Sequence, residues 1–231
     1  MDENNNEVIE SSIISSINQT MKIKNGSNFY KTTEFPFMKI LDANYSQIKN
    51  ELLSIIELNT KDFFELWIEK DLYEESNPEG WFVAPLLIDS KFIVKNCIKA
   101  KFLYELIKFI PEIISCSFSL LKPGTRICPH KGYDEYSEEV LRYHMGIIIP
   151  KGDLGISVEE DIKIWKEGES FIFDDFKTHS AWNFSDSDRY VLICDFSNKI
   201  RERKDDSIYY DESGNFSDNN FNKSINHYLN K

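Results

Sequence analysis

The sequence has few basic side chains, and this shortage restricts the partners it can bind. It contains 27 lysine and arginine residues against 39 aspartate and glutamate residues, which gives a formal net charge of −12 at pH 7. A strongly acidic chain is repelled by the phosphate backbone of nucleic acids, so we expect no nucleic-acid partner. Local arginines can still bind a small anion.

The sequence also lacks long hydrophobic runs and paired cysteines. No stretch is long enough to span a bilayer, and the start, MDENNNEV, lacks the basic and apolar regions of a signal peptide. We therefore expect no membrane partner and a cytoplasmic location. The cysteines form no C-x-x-C pair and no zinc-finger spacing, which predicts reduced and mostly buried thiols at Cys97, Cys116, Cys128 and Cys194.

Length and composition predict one catalytic domain with extensions at both ends. With 41% hydrophobic and 14% aromatic residues, 231 residues can bury one substantial core. Residues 1–28 are rich in Asn, Ser and Ile and are predicted to form a loosely ordered arm. We expect the catalytic domain over 29–197 and a charged, Asn-rich tail over 198–231.

Hydrophobic periodicity predicts two helices before the motif-rich half of the chain. Residues 45–58 and 97–110 each place apolar side chains on one helical stripe, and Pro111 ends the second helix. The segment FYKTTEFPFMKIL at 29–41 predicts a strand pair broken at Phe35-Pro36. We expect the helices to pack against one face of a sheet.

Turn dipeptides divide the rest of the chain into short strands. Pro123-Gly124, Lys151-Gly152 and Glu167-Gly168 follow one another at intervals typical of an all-β meander or jelly roll. The predicted fold is mainly β with flanking helices. It is a double-stranded β-helix, or cupin-like jelly-roll barrel, buttressed by N-terminal α-helices.

Only four histidines occur, and two of them, on different predicted strands, stand at a notable distance from an arginine. His130 and His179 are 49 residues apart, and Arg189 follows the second histidine by ten. Imidazole is a common ligand for Fe(II), and an iron that binds oxygen needs only two or three protein ligands. A lone histidine is more often a hydrogen-bonded structural residue than a metal ligand, so the surrounding sequence must distinguish between these two interpretations.

Strand periodicity brings a second set of polar residues together. Arg142 and His144 are two apart on a predicted strand and therefore share a face. Arg189 begins the run RYVLICDF, which is typical of a buried strand, and a buried charge at its start requires an anionic partner. A dicarboxylate would provide it through two-pronged pairing with the guanidinium.

Three segments give the histidines a specific context: FSLLKPGTRICPHKG at 118–132, LRYHMGIIIP at 141–150 and EGESFIFDDFKTHSAWNFSDSDRY at 167–190. Over residues 80–196 the chain resembles the aspartyl/asparaginyl β-hydroxylase family of Fe(II)- and 2-oxoglutarate-dependent oxygenases. The resemblance implies that His130 and His179 bind iron. It implies 2-oxoglutarate contacts from the following side chains: Ser119, Arg142, His144 and Arg189.

The resemblance further implies catalysis through His130, His179 and Arg189. With 2-oxoglutarate and O2 as cosubstrates, the enzyme would hydroxylate an unactivated carbon and release succinate and CO2. The expected target is the β-carbon of an Asp/Asn-like residue or another amino acid, which is free, in a peptide or bound to a carrier. The segment 131–141 is longer than usual for the family and leaves the substrate open.

Gly132 stands where many non-haem iron enzymes have a carboxylate ligand, two residues after the first histidine. Two protein ligands are therefore expected. An open coordination position is also compatible with an iron halogenase that binds chloride. A further alternative is a cupin-like binding domain that does not catalyse a reaction.

Other polar and aromatic residues near these motifs are given structural roles. Asp174-Asp175 precedes a turn, and we expect these carboxylates to cap it. Trp165 and Trp182 are interpreted as packing residues. Trp81 either lines the cosubstrate pocket or packs at the edge of the core.

Overall fold

The computed structural model describes residues 27–58, 62–132 and 140–197. The predicted tail, nearly all of the predicted arm and most of the segment 131–141 lie outside these ranges. No helix in the described part of the chain is long and apolar enough to cross a bilayer.

In the described ranges, twelve strands form two antiparallel sheets. In chain order the strands are β1 Phe29–Tyr30, β2 Glu65–Leu66, β3 Trp81–Ile88, β4 Lys91–Phe92, β5 Ile113–Leu121, β6 Thr125–His130, β7 Val140–Ile148, β8 Leu154–Val158, β9 Asp161–Lys163, β10 Ser170–Asp174, β11 His179–Asn183 and β12 Arg189–Ser197. The larger sheet has the order β1-β10-β7-β12-β5-β3-β2, with β4 paired to β3. The smaller sheet has the order β6-β11-β8-β9.

An apolar cluster formed by residues of both sheets lies inside the barrel. It contains Trp81 and Val191 from the larger sheet and Ile127, Leu154 and Ile156 from the smaller one. Alternate residues of each strand point inward, so one face of each strand contributes to this cluster. The predicted double-stranded β-helix is confirmed by this arrangement of two sheets.

The part of the chain that the structure describes has four α-helices beside the barrel: α1 Lys39–Ala43, α2 Tyr45–Glu57, α3 Val94–Lys99 and α4 Lys101–Lys108. Ile48 of α2 and Leu103 of α4 belong to a second cluster with Phe118, Met145 and Leu192 on the outer face of the larger sheet. Burying an apolar side chain of this size stabilises the folded state by about 1.5–3 kcal/mol relative to leaving it exposed to water. The prediction that the helices buttress one sheet is therefore confirmed.

The helix bounds differ in part from the prediction. The helix predicted at 45–58 is confirmed by α2. The one predicted at 97–110 was wrong as a single element, because Ala100 leaves the helical region with φ −110° and ψ 61° and separates α3 from α4.

The predicted strand pair at 29–41 was also wrong beyond its first two residues. After β1, two 3₁₀ helices and α1 follow. Proline fits the first position of a helix, and Pro36 begins the second 3₁₀ helix. Phe35, Met38 and Leu41 are buried at a spacing of three residues, which places them on one helical face against the core.

The four cysteines are thiols and not disulfides, as predicted. Cys97, Cys116 and Cys194 are buried, whereas Cys128 is partly exposed. Cys116 and Cys194 are cross-strand partners in β5 and β12 with sulfur atoms 3.4 Å apart. Their burial fits packing of small apolar side chains.

Candidate active site

His130 and His179 are cross-strand partners in the smaller sheet. His130 ends β6, His179 begins β11, and their Cα atoms are paired in the antiparallel ladder. The two ring centroids are 4.3 Å apart. A register shift follows between His179 and Ala181, so the ladder is irregular beside the histidines. Irregular strands of this kind often redirect side chains next to functional sites.

Both rings are held in a tautomer that suits metal binding through Nε2. The Nδ1 atom of His130 lies 2.9 Å from the carbonyl oxygen of Cys128, and that of His179 lies 2.9 Å from the carbonyl oxygen of Lys177. Since a carbonyl can only accept, each Nδ1 carries the proton and each Nε2 keeps a lone pair. This pattern leaves two nitrogen donors for a cation.

Electrostatics keep both rings neutral at pH 7. Burial, followed by the charge of Arg142, lowers the pKa of His130. Burial is the largest cause that lowers the pKa of His179 to about 3, and repulsion from the other nearby groups, a protonated His130 and the cation of Arg142, adds to it. Neutral imidazole is the form that binds a metal, so the site needs no deprotonation before it can accept one.

Asp175 lies directly beside the histidine pair. Its Oδ1 atom is 3.4 Å from His179 Nε2 and 2.6 Å from Arg142 Nη1. A carboxylate oxygen and an imidazole lone pair repel each other unless a cation or a proton lies between them. Burial raises the pKa of Asp175 to about 7, although Arg142 opposes this shift. The predicted turn cap applies only to Asp174, which accepts the Phe176 N–H at 3.0 Å.

Gly132 allows Asp175 to occupy this place. The Gly132 N–H donates to the carbonyl oxygen of Asp175 at 2.8 Å. A Cβ atom at position 132 would lie 1.7 Å from Asp175 Oδ2, closer than any real contact. The absence of a side chain at 132 therefore has a steric cause, because the Asp175 carboxylate fills the space into which a side chain would project.

Arg142 is held by two carboxylates. Its Nε and Nη2 atoms donate to Asp195 at 2.6 and 2.9 Å, while Nη1 reaches Asp175. The strand register explains the first pair, because Arg142 and Asp195 are Cα partners in β7 and β12. A contact between Arg142 and a cosubstrate stays a prediction. What the structure adds is a role in neutralising Asp175 next to the histidines.

Three other predicted residues point inward from neighbouring strands of the larger sheet. Ser119 of β5, His144 of β7 and Arg189 of β12 are 1%, 5% and 2% exposed. The cross-strand register places them on one face of the sheet. The face shared by Arg142 and His144, predicted from strand periodicity, is therefore confirmed.

The donors on these three residues have no acceptor among the described residues. Ser119 Oγ accepts the Trp81 indole N–H at 3.1 Å, which leaves its own proton to donate. His144 Nε2 and Arg189 Nε are buried without a hydrogen-bond partner. Buried donors in native proteins are normally satisfied, so this set indicates a ligand that accepts hydrogen bonds.

The buried cation of Arg189 indicates that the ligand is an anion. Within the described part of the chain, no carboxylate lies within ion-pairing distance of its guanidinium, which instead stacks over the Trp165 indole at 4.8 Å from the ring centroid. Burial lowers the pKa of Arg189 to about 9, so the group remains cationic at neutral pH. A buried unpaired cation is costly, and an anionic ligand would offset this cost.

The two sets of residues are close to each other. The Phe173 ring contacts His144 at a centroid distance of 5.2 Å and His179 at 5.3 Å. One aromatic ring therefore touches a histidine of each set. An anion bound by His144 and Arg189 would lie next to a cation bound by the histidine pair.

The donor set fits Fe(II) and a dicarboxylate. Among the described residues, no group of three or more His, Cys, Asp or Glu side chains is arranged to hold a metal. His130 and His179 would thus supply two nitrogens and leave positions open, as oxygen-binding iron requires.

Sequence reasoning missed the places of Asp175 and Trp165 at the site. The missing carboxylate at Gly132 was the available signal for the first, and nothing in the sequence pattern marked the second.

Comparisons with known proteins show which protein family this chain resembles. Residues 42–199 match the sequence model of a family described as aspartyl/asparaginyl beta-hydroxylase. An ornithine lipid ester-linked acyl 2-hydroxylase from Rhizobium tropici is 29% identical over 177 residues, which cover 74% of this chain and 61% of that protein. The human aspartyl/asparaginyl beta-hydroxylase is 29% identical over 163 residues, which cover 68% of this chain and 20% of that protein.

The solved structure of an oxidoreductase of the 2OG-Fe(II) oxygenase family from Burkholderia pseudomallei has a TM-score of 0.45 at 12% identity, and the match covers 65% of this chain and 80% of that one. The chain thus spans only part of the relatives it matches. The family match covers more than half of the 231 residues. The chain therefore belongs to the aspartyl/asparaginyl beta-hydroxylase family.

Proposed function

We propose that this chain is an Fe(II)- and 2-oxoglutarate-dependent hydroxylase. The observation that carries the proposal is the set of three buried donors without acceptors, on Ser119, His144 and Arg189, beside two neutral histidines. A ligand that satisfies them is an anion with several acceptor oxygens, and 2-oxoglutarate has two carboxylates and a keto oxygen. Membership of a hydroxylase family supports the same conclusion.

Each residue has a distinct role in the proposed enzyme. His130 and His179 would hold iron through Nε2, and Arg189 would pair with a carboxylate of 2-oxoglutarate through two parallel N–H donors. Ser119 and His144 would donate further hydrogen bonds. When bound, iron with 2-oxoglutarate and O2 supplies the oxidising chemistry, with release of succinate and CO2. The protein contributes position, charge and exclusion of water.

The proposed target is a carbon next to a carbonyl or carboxyl carbon. The names of two relatives describe hydroxylation at an acyl 2-position and at the β-carbon of aspartyl and asparaginyl residues. Both positions are adjacent to a carboxyl-derived carbon. A free amino acid, a short peptide or an acyl group attached to a carrier or lipid would present such a carbon.

Halogenation is less compatible with this site. A chloride ligand would need the space next to Gly132, and the Asp175 carboxylate fills it. A carboxylate repels a neighbouring anion, most strongly where little water screens the charges. We therefore favour hydroxylation over chlorination.

Succinate release separates a hydroxylase from a binding domain that does not catalyse a reaction. The purified chain is incubated with Fe(II), 2-oxoglutarate and O2, and succinate is measured by NMR. We expect succinate from the wild type and none from His130→Ala or His179→Ala. The proposal would be overturned if the wild type failed to bind 2-oxoglutarate. It would also be overturned if the wild type released no succinate with any of the candidate substrates, which are free amino acids, short peptides and acyl lipids.

Product identity is tested in the same reactions. Free amino acids, short peptides and acyl lipids are supplied with chloride present, and mass spectrometry searches for one added oxygen or one added chlorine. The expected product carries oxygen next to a carboxyl-derived carbon. A chlorinated product would instead identify a halogenase and contradict the argument from Asp175.

A further inference from the structure

We infer that Trp165 is a positioning residue that fixes His144 in the tautomer presenting an Nε2–H donor to the ligand. This inference rests on the proposed 2-oxoglutarate site and assigns a role to a residue outside the predicted contacts. It replaces the packing role expected from the sequence.

The hydrogen bond between the two side chains defines the tautomer. The Trp165 Nε1 atom lies 3.3 Å from His144 Nδ1, with the ring planes only 15° apart. An indole N–H can donate but cannot accept, so His144 Nδ1 must offer its lone pair. Neutral imidazole then carries its single proton on Nε2. This is the atom that is buried without a partner.

Protonation cannot replace this arrangement. A doubly protonated His144 would direct an N–H at the N–H of Trp165. Burial, with the positive charges of Arg142 and Arg189, also lowers the pKa of His144 well below its ordinary value. His144 is therefore a neutral donor, and its direction of donation depends on Trp165.

The same indole also orients the proposed anion-binding cation. The guanidinium carbon of Arg189 lies 4.8 Å from the centroid of the Trp165 ring. Trp165 is 2% exposed, so its ring has little freedom to turn. Stacking over a fixed aromatic ring restricts the guanidinium and leaves its N–H edges available for a carboxylate.

A glycine on β7 lets the backbone after Trp165 approach the sheet. Gly146 donates to the carbonyl oxygen of Glu169 at 3.1 Å and accepts the Gly168 N–H at 2.9 Å. A Cβ atom at position 146 would lie 2.4 Å from the carbonyl oxygen of Lys166. Any side chain at 146 would thus push away the segment that holds Trp165 against His144.

Trp165→Phe separates positioning from packing. Phenylalanine keeps an aromatic ring over Arg189 but removes the N–H that His144 accepts. Trp182→Phe is the matched control, because the Trp182 indole N–H donates to the partly solvated Asp153 at 2.8 Å on the outside of the smaller sheet.

The first measurement is ¹⁵N NMR of histidine-labelled protein loaded with Zn(II), which is redox-inert. The four histidines give few signals, and His144→Gln identifies those of His144. We expect the Nε2–H tautomer in the wild type and in Trp182→Phe. In Trp165→Phe, His144 should populate the Nδ1–H tautomer.

The second measurement is the affinity of the same Zn(II)-loaded proteins for 2-oxoglutarate. Trp165→Phe should raise the dissociation constant by about two- to tenfold, the range for one lost hydrogen bond, while Trp182→Phe leaves it unchanged. Weaker binding without a change of tautomer would show a packing role only and overturn the inference.

The wild type alone also decides the question if Trp165→Phe does not fold. An Nδ1–H tautomer of His144 in the wild type would overturn the inference. If the wild type bound no 2-oxoglutarate, the proposed function would fail, whereas the tautomer signals would still show whether Trp165 fixes His144.

Discussion

Replacing Arg189 with alanine removes the cation that distinguishes an anion site from an ordinary polar barrel interior. The guanidinium is 2% exposed and stacks on Trp165, with no carboxylate near enough to pair with it in the described part of the chain. If 2-oxoglutarate provides the missing charge, Arg189→Ala leaves the bound cosubstrate with an uncompensated buried carboxylate. Iron binding should survive, because Arg189 does not contact the histidine pair in the structure.

The expected loss of affinity is large. Removing one partner of a buried charge pair costs about 2–5 kcal/mol. The dissociation constant for 2-oxoglutarate should therefore rise by about 30- to 5,000-fold. Arg189→Lys should recover only part of this loss, because an ammonium group lacks the planar fork that matches a carboxylate with two parallel hydrogen bonds.

Thermal unfolding measures this difference without a turnover assay. At a ligand concentration about 100 times its dissociation constant, the wild type gains about 2.7 kcal/mol. A variant that binds about 30-fold more weakly gains only about 0.9 kcal/mol at the same concentration. For a domain of this size, the ligand-induced rise in Tm should fall from about 5–11 °C to about 2–4 °C.

Arg126→Ala is the matched control, because Arg126 is an exposed arginine on β6 of the same barrel. It should keep the full ligand-induced rise in Tm. An unchanged 2-oxoglutarate affinity in Arg189→Ala, together with intact iron binding, would refute the reasoning and leave Arg189 as a structural cation. A loss of iron binding in the same variant would refute the separation of the cosubstrate site from the metal site.

The remaining predictions concern the metal site and the core. His130→Ala and His179→Ala should each abolish Fe(II) binding while circular dichroism stays unchanged, since either change removes one of only two nitrogen donors; retained affinity would contradict the ligand assignment. Gly132→Asp should keep metal binding but impair turnover, because its Cβ atom displaces the Asp175 carboxylate; normal turnover would show that this carboxylate can move without consequence. Phe196→Ala should lower the free energy of unfolding by about 3–5 kcal/mol, measured in urea, since Phe196 is fully buried; a loss below about 1 kcal/mol would contradict tight packing under the helices.

Period-two patterning predicted the inner face of the larger sheet because each strand there borders a core on both sides. Ser119, His144 and Arg189 alternate with residues that pack under the helices, so no slip of one residue is tolerated. The short segment after β1 had no such constraint. Its residues Phe35 and Met38 satisfy a helical period as well as a strand run, and tertiary packing selected the helix.

Asp175 could not be assigned from the sequence because its role depends on a contact across the barrel. Sequence reasoning placed it in a turn with Asp174, and the local pattern is satisfied by either residue. The distance of 3.4 Å from Asp175 Oδ1 to His179 Nε2, together with the approach of Gly132 to the backbone of Asp175, shows which carboxylate faces the histidine pair. The sequence does show that position 132 lacks a side chain, which is what leaves room for the Asp175 carboxylate.

The proposed metal ligands come from one sheet and the proposed cosubstrate contacts come from the other. The smaller sheet presents His130 at the end of β6 and His179 at the start of the adjacent β11. The larger sheet presents Ser119, His144 and Arg189 from three neighbouring strands, with Arg189 at the start of β12. Arg142 connects the two groups, because it comes from the larger sheet and its Nη1 atom pairs with the Asp175 carboxylate beside His179. A shift of one sheet relative to the other would alter the contact between Asp175 and His179 and the distance between metal and cosubstrate together. Both functions therefore depend on the closed barrel, and substitutions that loosen it should weaken iron and 2-oxoglutarate binding in parallel.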